Sequence, residues 1–251
     1  MKCGNMNKKL LLVTGGNQGI GKSIVIEALN SGYKVAFTYN SNEKEALEFV
    51  KELDSKDVDT FQFTLGKREN VNKLFGDIQK RFNQLPYYLV NNAAILIQKD
   101  FETISDEEWD LVLNTNLTGV FQLVQELISK MRKNNFGRIV NISSIGGQIG
   151  GNLAVHYATS KAGLISFTKS MAKIYSRYNV LTNCITPGLV NTKMIEKELS
   201  TPAGKEKLKS IPVGKLTEPN EIAKLTLFLL SEDNKTITGQ TINANGGMYF
   251  G

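Results

Sequence analysis

Apolar residues in this chain fall into short continuous runs, separated by stretches in which they recur every three or four positions. The two patterns alternate from end to end. Leu10 to Thr14 is an apolar run closed by glycines, which predicts a buried strand feeding a turn. Ile20, Ile24, Ala28 and Leu29 then keep helical spacing until Gly32 stops the helix. Val35 to Tyr39 predicts the next strand, and Ala46, Phe49, Val50 and Leu53 mark the next helix. A strand over Thr60 to Leu65, a helix over Val71 to Phe82 and a strand over Tyr88 to Asn91 continue the order. In the second half the predicted elements are a long helix near Leu117 to Arg132, strand Arg138 to Ile142 and helix Val155 to Tyr175. Strand Val180 to Thr186, helix Pro219 to Leu230 and strand Gln240 to Asn243 follow. Strands separated by helices need crossover connections, and right-handed crossovers produce a parallel sheet with helices on both faces. The expectation is a single α/β domain, a Rossmann-like doubly wound parallel sheet. Between Val190 and Lys215 the periodicity weakens and glycine and proline recur, so residues 190–215 are expected to form a mobile substrate lid over the carboxyl ends of the strands.

A length of 251 residues suits one α/β unit, and 41% hydrophobic with 22% charged residues fits a globular protein. The net charge of +6 admits anionic partners, but the basic residues are dispersed among acids, so nucleic acid is not expected. Two cysteines, Cys3 and Cys184, give no disulfide framework, and with His156 as the one histidine no metal site is expected. The polar start and the brief run Leu10 to Val13 predict neither a signal peptide nor membrane insertion, and cytoplasmic residence is the default.

Candidate chemistry sits at two places. Thr14-Gly15-Gly16-Asn17-Gln18-Gly19-Ile20-Gly21 puts glycines where a strand becomes a helix, so backbone can approach a pyrophosphate at the helix N-terminus. Glycines also serve tight turns that bind nothing. Tyr157 and Lys161 stand four apart on a predicted helix and share a face, with Ser144 thirteen residues before the tyrosine. That set places an acid, a cation expected to lower its pKa and a hydrogen-bonding hydroxyl together. By itself the Tyr–Lys pair could be a plain surface pair, since lysines and arginines number 30 in this chain.

Taken together these motifs resemble the short-chain dehydrogenase/reductase family over nearly the whole length. The resemblance rests on Thr14 to Gly21, Asn91-Asn92-Ala93-Ala94, Asn116 in Asn114-Thr115-Asn116-Leu117, Ser144, Tyr157 with Lys161, and Pro187-Gly188. Within the family the chain looks most like 3-oxoacyl-acyl-carrier-protein reductases, through Asn116 to Phe121, Ile237 to Thr241 and Asn245 to Tyr249. The resemblance implies NADPH/NADP as cofactor, with NADH as an alternative, and a homotetramer. It implies that Tyr157 protonates a carbonyl oxygen while Ser144 holds that oxygen. Lys161 would bind the nicotinamide ribose, Asn116 would support a water relay, and Ser143 would be structural. Cofactor contacts are implied at Gly15, Asn17, Gln18, Gly19, Ile20, Gly21, Asn40, Ser41, Thr64, Leu65, Asn92, Ala93, Ala94, Tyr157, Lys161, Pro187, Gly188, Val190 and Thr192.

Several positions depart from the family pattern. Ala94 replaces a glycine, Thr64 an aspartate, and Pro86-Tyr87 an acidic residue. Where basic residues dock acyl carrier protein in relatives, Asn135 and Tyr178 stand here, with Lys133 and Arg177 adjacent. The implied reaction is NADPH-dependent reduction of a 3-oxoacyl thioester on acyl carrier protein. A dehydrogenase of a sugar, polyol or other secondary alcohol is the alternative, and a non-enzymatic dinucleotide-binding protein the third reading. His156 is expected to be a neighbour of the catalytic helix start; a Ser-His-Asp hydrolase would need it as base, and no G-x-S-x-G elbow is present.

Overall fold

The computed structural model describes residues 9–193, 195 and 199–251, without the side chains of residues 203 and 205. Seven parallel strands form one sheet in the order β3-β2-β1-β4-β5-β6-β7. They are β1 (Leu10–Val13), β2 (Lys34–Tyr39), β3 (Val58–Gln62), β4 (Tyr88–Asn91), β5 (Gly137–Ile142), β6 (Val180–Pro187) and β7 (Thr241–Ala244). The helices between them are α1 (Gly19–Asn30), α2 (Glu43–Leu53), α3 (Arg68–Phe82), α4 (Asp106–Leu113), α5 (Gly119–Lys133), a short α6 (Gly146–Ile149), α7 (Val155–Tyr175), α8 (Pro202–Lys209) and α9 (Pro219–Leu230). This is one Rossmann-like α/β domain, as the alternating pattern predicts.

Both faces of the sheet are buried, which is why β1 reads as an unbroken apolar run. Leu11 and Val13 point into one cluster with Ile24 and Val25 of α1 and Ile222 of α9. Leu10 and Leu12 point into the other with Ile78 of α3, Leu127 of α5 and Leu164 of α7. Strand order reverses at β1: the chain builds outward to β3, then returns to place β4 on the other side of β1. The carboxyl ends of β1 and β4 therefore diverge into a crevice, the place where such sheets bind ligands.

Several boundaries differ from the sequence expectation. The third strand is Val58–Gln62, earlier than Thr60 to Leu65, because its ladder on β2 ends at Tyr39 opposite Gln62. The helix expected near Leu117 is the second half of a longer helical run in which α4 passes through a π-turn (Asn114–Thr118) into α5. Val120, Leu123, Val124, Leu127 and Ile128 are more than one sheet-facing stripe of that helix needs, which on sequence alone leaves a subunit interface open, yet all five are 7% exposed or less within one chain. They fill the core between α5, the sheet and α3.

The 190–215 segment leaves the body beside β6 and returns to the same point: Val190 bridges Thr217, Asn191 N donates to the Thr217 carbonyl at 2.9 Å, and Thr217 N donates to the Leu189 carbonyl at 3.0 Å. It contains α8, capped by Thr201 Oγ1, which accepts from Gly204 N at 3.0 Å. Of the six lysines between Lys193 and Lys215, Lys197 lies outside the described residues, as do Glu196 and Glu198. The side chain of Lys205 does as well.

Candidate active site

The glycine turn is built for close backbone approach. Gly15 and Gly19 have φ of +64° and +52°, where a side chain would be strained. A Cβ on Gly21 would stand 2.0 Å from the Gly15 carbonyl oxygen and 2.7 Å from Asn92 Nδ2, so the first turn of α1 lies directly on the loop. Asn92 Nδ2 donates to the Thr14 and Gly15 carbonyls at 2.9 and 3.0 Å, while Thr14 Oγ1 accepts from the Asn92 and Ala93 amides at 3.0 and 3.1 Å. The ends of β1 and β4 are thereby held as one unit. Asn17 is buried, Gln18 is exposed, and Ile20 and Ala94 are half-buried at the rim. A Cβ on Gly19 would meet Thr192 Cγ2 at 3.3 Å, which brings the start of the lid over this turn.

At the end of β2, Asn40 and Ser41 are exposed, and Thr64 Oγ1 donates to Asn40 Oδ1 at 2.8 Å. Leu65 is buried against Gly119. Pro187 ends β6, and Gly188, whose added Cβ would lie 2.9 Å from Asn245 Cα, is pinned to β7 through its amide bond to the Ala244 carbonyl at 3.2 Å. An open, glycine-rich cradle at a helix N-terminus, with exposed polar side chains at the end of β2, fits a dinucleotide.

The reacting groups lie between β5 and α7. Ser144, just past β5, stands against Tyr157 on α7, and its Oγ accepts from the Gly146 amide at 3.1 Å. Lys161 is buried, its Nζ 5.6 Å from the Tyr157 ring centroid and donating to the Ile142 carbonyl at 2.7 Å. Ser143 turns the other way, and its Oγ donates to the Lys161 carbonyl at 2.8 Å. Burial raises the Tyr157 phenol above its ordinary value, and the neighbouring Ser144 hydroxyl opposes that rise. Here the sequence expectation needs correcting: in this geometry Ser144, rather than Lys161, is the group that lowers Tyr157. The lysine ammonium is itself disfavoured by burial, which brings it down to about 8.

Asn116 sits in the π-turn, buried, with its carboxamide engaged on both sides. Its Oδ1 accepts from the Ile95 amide, and its Nδ2 donates to the Ile95 carbonyl, both at 2.9 Å. A second Nδ2 bond reaches Ser160 Oγ at 3.1 Å. The carboxamide thus ties the loop after β4 to α7, a task that the water-relay reading did not contain. His156 is buried, and among the described residues neither of its ring nitrogens has a hydrogen-bond partner.

Sequence reasoning missed Thr38, whose hydroxyl accepts from the Gly15 amide at 3.2 Å, and the buried pair Asn141 and Thr168. A polar residue inside an apolar strand run was the available signal in both strands. No group of three or more His, Cys, Asp or Glu side chains among the described residues could hold a metal, and no helix there is long and apolar enough to cross a membrane.

Comparison with known proteins agrees with this geometry. Residues 15–249 match the family described as Enoyl-(Acyl carrier protein) reductase. The chain is 39% identical over 246 residues to the acetoacetyl-CoA reductase of Rhizobium meliloti (strain 1021), spanning 96% of this chain and 99% of that protein. It is 38% identical over 246 residues to the acetoacetyl-CoA reductase of Shinella zoogloeoides, with the same coverage of 96% and 99%. It is 35% identical over 244 residues to the 3-oxoacyl-[acyl-carrier-protein] reductase FabG of Staphylococcus aureus (strain N315), covering 96% of this chain and 98% of that one.

Proposed function

We propose that this chain, which belongs to the short-chain dehydrogenase/reductase family and is an oxidoreductase acting on keto and CH–OH groups, reduces the 3-oxo group of an acyl thioester to the 3-hydroxy form with NADPH. The observation that supports the reading is the meeting of Ser144 with Tyr157 between β5 and α7, next to a buried Lys161 whose Nζ lies 5.6 Å from the tyrosine ring. The bound cofactor supplies a hydride to the carbonyl carbon. Tyr157 Oη gives its proton to the carbonyl oxygen, and Ser144 Oγ, held by the Gly146 amide, hydrogen-bonds the same oxygen as negative charge develops on it. Burial keeps the Tyr157 phenol protonated at neutral pH, so it acts as an acid. Lys161, the residue next to the Ser143 anchor, offers an ammonium for the ribose hydroxyls.

The NADPH preference rests on Tyr39-Asn40-Ser41, a stretch without the acid that would pair with ribose hydroxyls and repel an added phosphate. With Asn40 Oδ1 occupied by Thr64, its Nδ2 donors are left for that phosphate. Glu43, which accepts from Tyr39 Oη at 3.2 Å, stands nearby and limits the preference to a moderate one.

Acyl carrier protein is the proposed thioester carrier, reached past the lysines of the lid. A second reading, coenzyme A as carrier, is favoured by the names of the two relatives at 39% and 38% identity. It is also favoured by charge: Lys193 pairs with Glu45, Lys209 with Glu206 and Lys215 with Glu221, which leaves less free positive charge for an acidic protein. Steady-state turnover of acetoacetyl-carrier protein, acetoacetyl-CoA and a panel of alcohols, each with both cofactors, separates the readings. Carrier-protein turnover that falls with added salt more than turnover of a small neutral ketone supports electrostatic docking of the carrier. Tyr157→Phe should nearly abolish reduction with cofactor affinity kept, and Lys161→Ala should harm both. A Tyr157→Phe enzyme with wild-type turnover removes the assigned acid.

A further inference from the structure

The geometry points to Asn141 and Thr168 as positioning residues that lock α7 onto β5 and so set the alignment of Ser144 with Tyr157. Both side chains are completely buried, and neither carries charge. Asn141 Nδ2 donates to Thr168 Oγ1 at 2.8 Å, and Thr168 Oγ1 donates onward to the Leu164 carbonyl at 2.8 Å. On its other side Asn141 Oδ1 accepts from Asn91 Nδ2 at 2.8 Å, across the β4–β5 register in which the two residues are partners.

The placement is what gives this pair its role. Residues 141 and 143 project from the same face of a strand. Each grips α7: Asn141 holds Thr168, and Ser143 Oγ holds the Lys161 carbonyl at 2.8 Å. On α7 the contacted residues are 168 and 161, two helical turns apart on one face, with Tyr157 one further turn along. One attachment would let the helix swing about it. Two attachments on a rigid strand fix both its rotation and its slide, and Ser144, the next residue on the β5 side, then meets the tyrosine in one geometry. Asn91 also precedes Asn92, which braces the glycine turn, so the same thread joins the cofactor cradle to the acid.

This inference rests on Tyr157 as the acid, and the test separates the two. Thr168→Val keeps the shape and removes the hydroxyl; Thr168→Ser keeps the hydroxyl. With acetoacetyl-CoA and NADPH, Thr168→Val should lower kcat by about tenfold to a hundredfold, the scale of a small misplacement of reacting groups. KM and the cofactor Kd should stay within about twofold. Because Ser144 opposes the rise of the Tyr157 pKa, moving it away should shift the alkaline limb of the kcat profile to higher pH. Thr168→Ser should restore both rate and profile. If Thr168→Val does not fold, Thr168→Ala, which leaves room for a water on Asn141, carries the same comparison. Wild-type kcat in the folded variant, or a lowered kcat with the pH limb unmoved and KM raised in parallel, overturns the positioning role. If Tyr157→Phe is inactive while Thr168→Val is fully active, this inference alone fails; an active Tyr157→Phe removes the acid assignment first.

Discussion

Gly21→Ala tests whether the glycine turn is a binding cradle. The new Cβ would lie 2.0 Å from the Gly15 carbonyl oxygen, 2.7 Å from Asn92 Nδ2 and 2.9 Å from the Gly15 carbonyl carbon. Two of these neighbours are backbone, which cannot rotate away as a side-chain tip can. Relief requires the turn to open, and the same opening pulls the Thr14 and Gly15 carbonyls from Asn92 Nδ2. Overpacking of this kind costs about 1–3 kcal/mol, and each lost hydrogen bond about 1 kcal/mol. A total of about 2–4 kcal/mol is therefore expected, allowing for partial relaxation. A free protein with the turn open must close it again to bind, so the cost falls on affinity. At 1.4 kcal/mol per tenfold, NADPH should bind roughly 30- to 700-fold more weakly. Titration of nicotinamide fluorescence measures the dissociation constant, and a thermal melt of the same sample reports any share of the cost taken as stability. An NADPH affinity within threefold of wild type, with an unchanged melting temperature, would refute the claim that this close approach builds the site.

Gly76, inside α3, is the opposite case: a Cβ there meets no atom within 4 Å, so Gly76→Ala should raise stability by about 0.5–1 kcal/mol, and a lower urea midpoint would contradict this. Burial first, and then the Glu232 carboxylate, raise the Tyr33 phenol to about 12; Tyr88 is raised by burial, then by Tyr33 and Glu232. A raised phenol contributes stability that is complete below its unfolded value of about 10 and is lost as pH climbs through the folded one. Tyr33→Phe should therefore flatten the loss of stability between about pH 10 and pH 12, and an unchanged slope in urea midpoints refutes it. A homotetramer is expected from outward apolar side chains, Phe101, Leu111 and Phe121 on and beside α4 and α5, Phe228 on α9, and the 83% exposed Phe250 after β7. Light scattering that gives a monomer mass at micromolar concentration rejects it.

How much was legible follows from how local each signal is. Helix α9 begins where Pro219 occupies the first turn and Glu218 and Glu221 form a capping box, and both are visible in the string of residues. The same kind of signal, Ser105 followed by Glu108, announces α4, yet its short apolar content hid the helix. Strand β3 was misplaced because its end depends on where the partner ladder stops, which no residue of β3 records. For the apolar residues of α5, periodicity counts hydrophobic positions without saying how many surfaces cover them. Here the sheet and α3 cover them together.

The active site divides along the same line. Tyr157 and Lys161 share one helix, so their spacing in sequence is already their spacing in space. Their pKa values do not transfer in that way. The motif alone suggests a lysine that lowers the tyrosine, but the fold buries Lys161 and half-buries Tyr157, and burial acts against the charged form of each. Ser144 then becomes the group that holds the phenol down, and its position depends on β5 being attached to α7. Asn141 sits in a run, Arg138 to Ile142, that reads as plain core strand, and its partner Thr168 lies far along the chain in the middle of a helix. A buried amide among isoleucines and valines is costly unless its hydrogen bonds are made. Its presence in that strand is therefore a mark in the sequence of a contact that joins two elements, and only the folded chain shows that the contact ties α7 to the strand leading into Ser144.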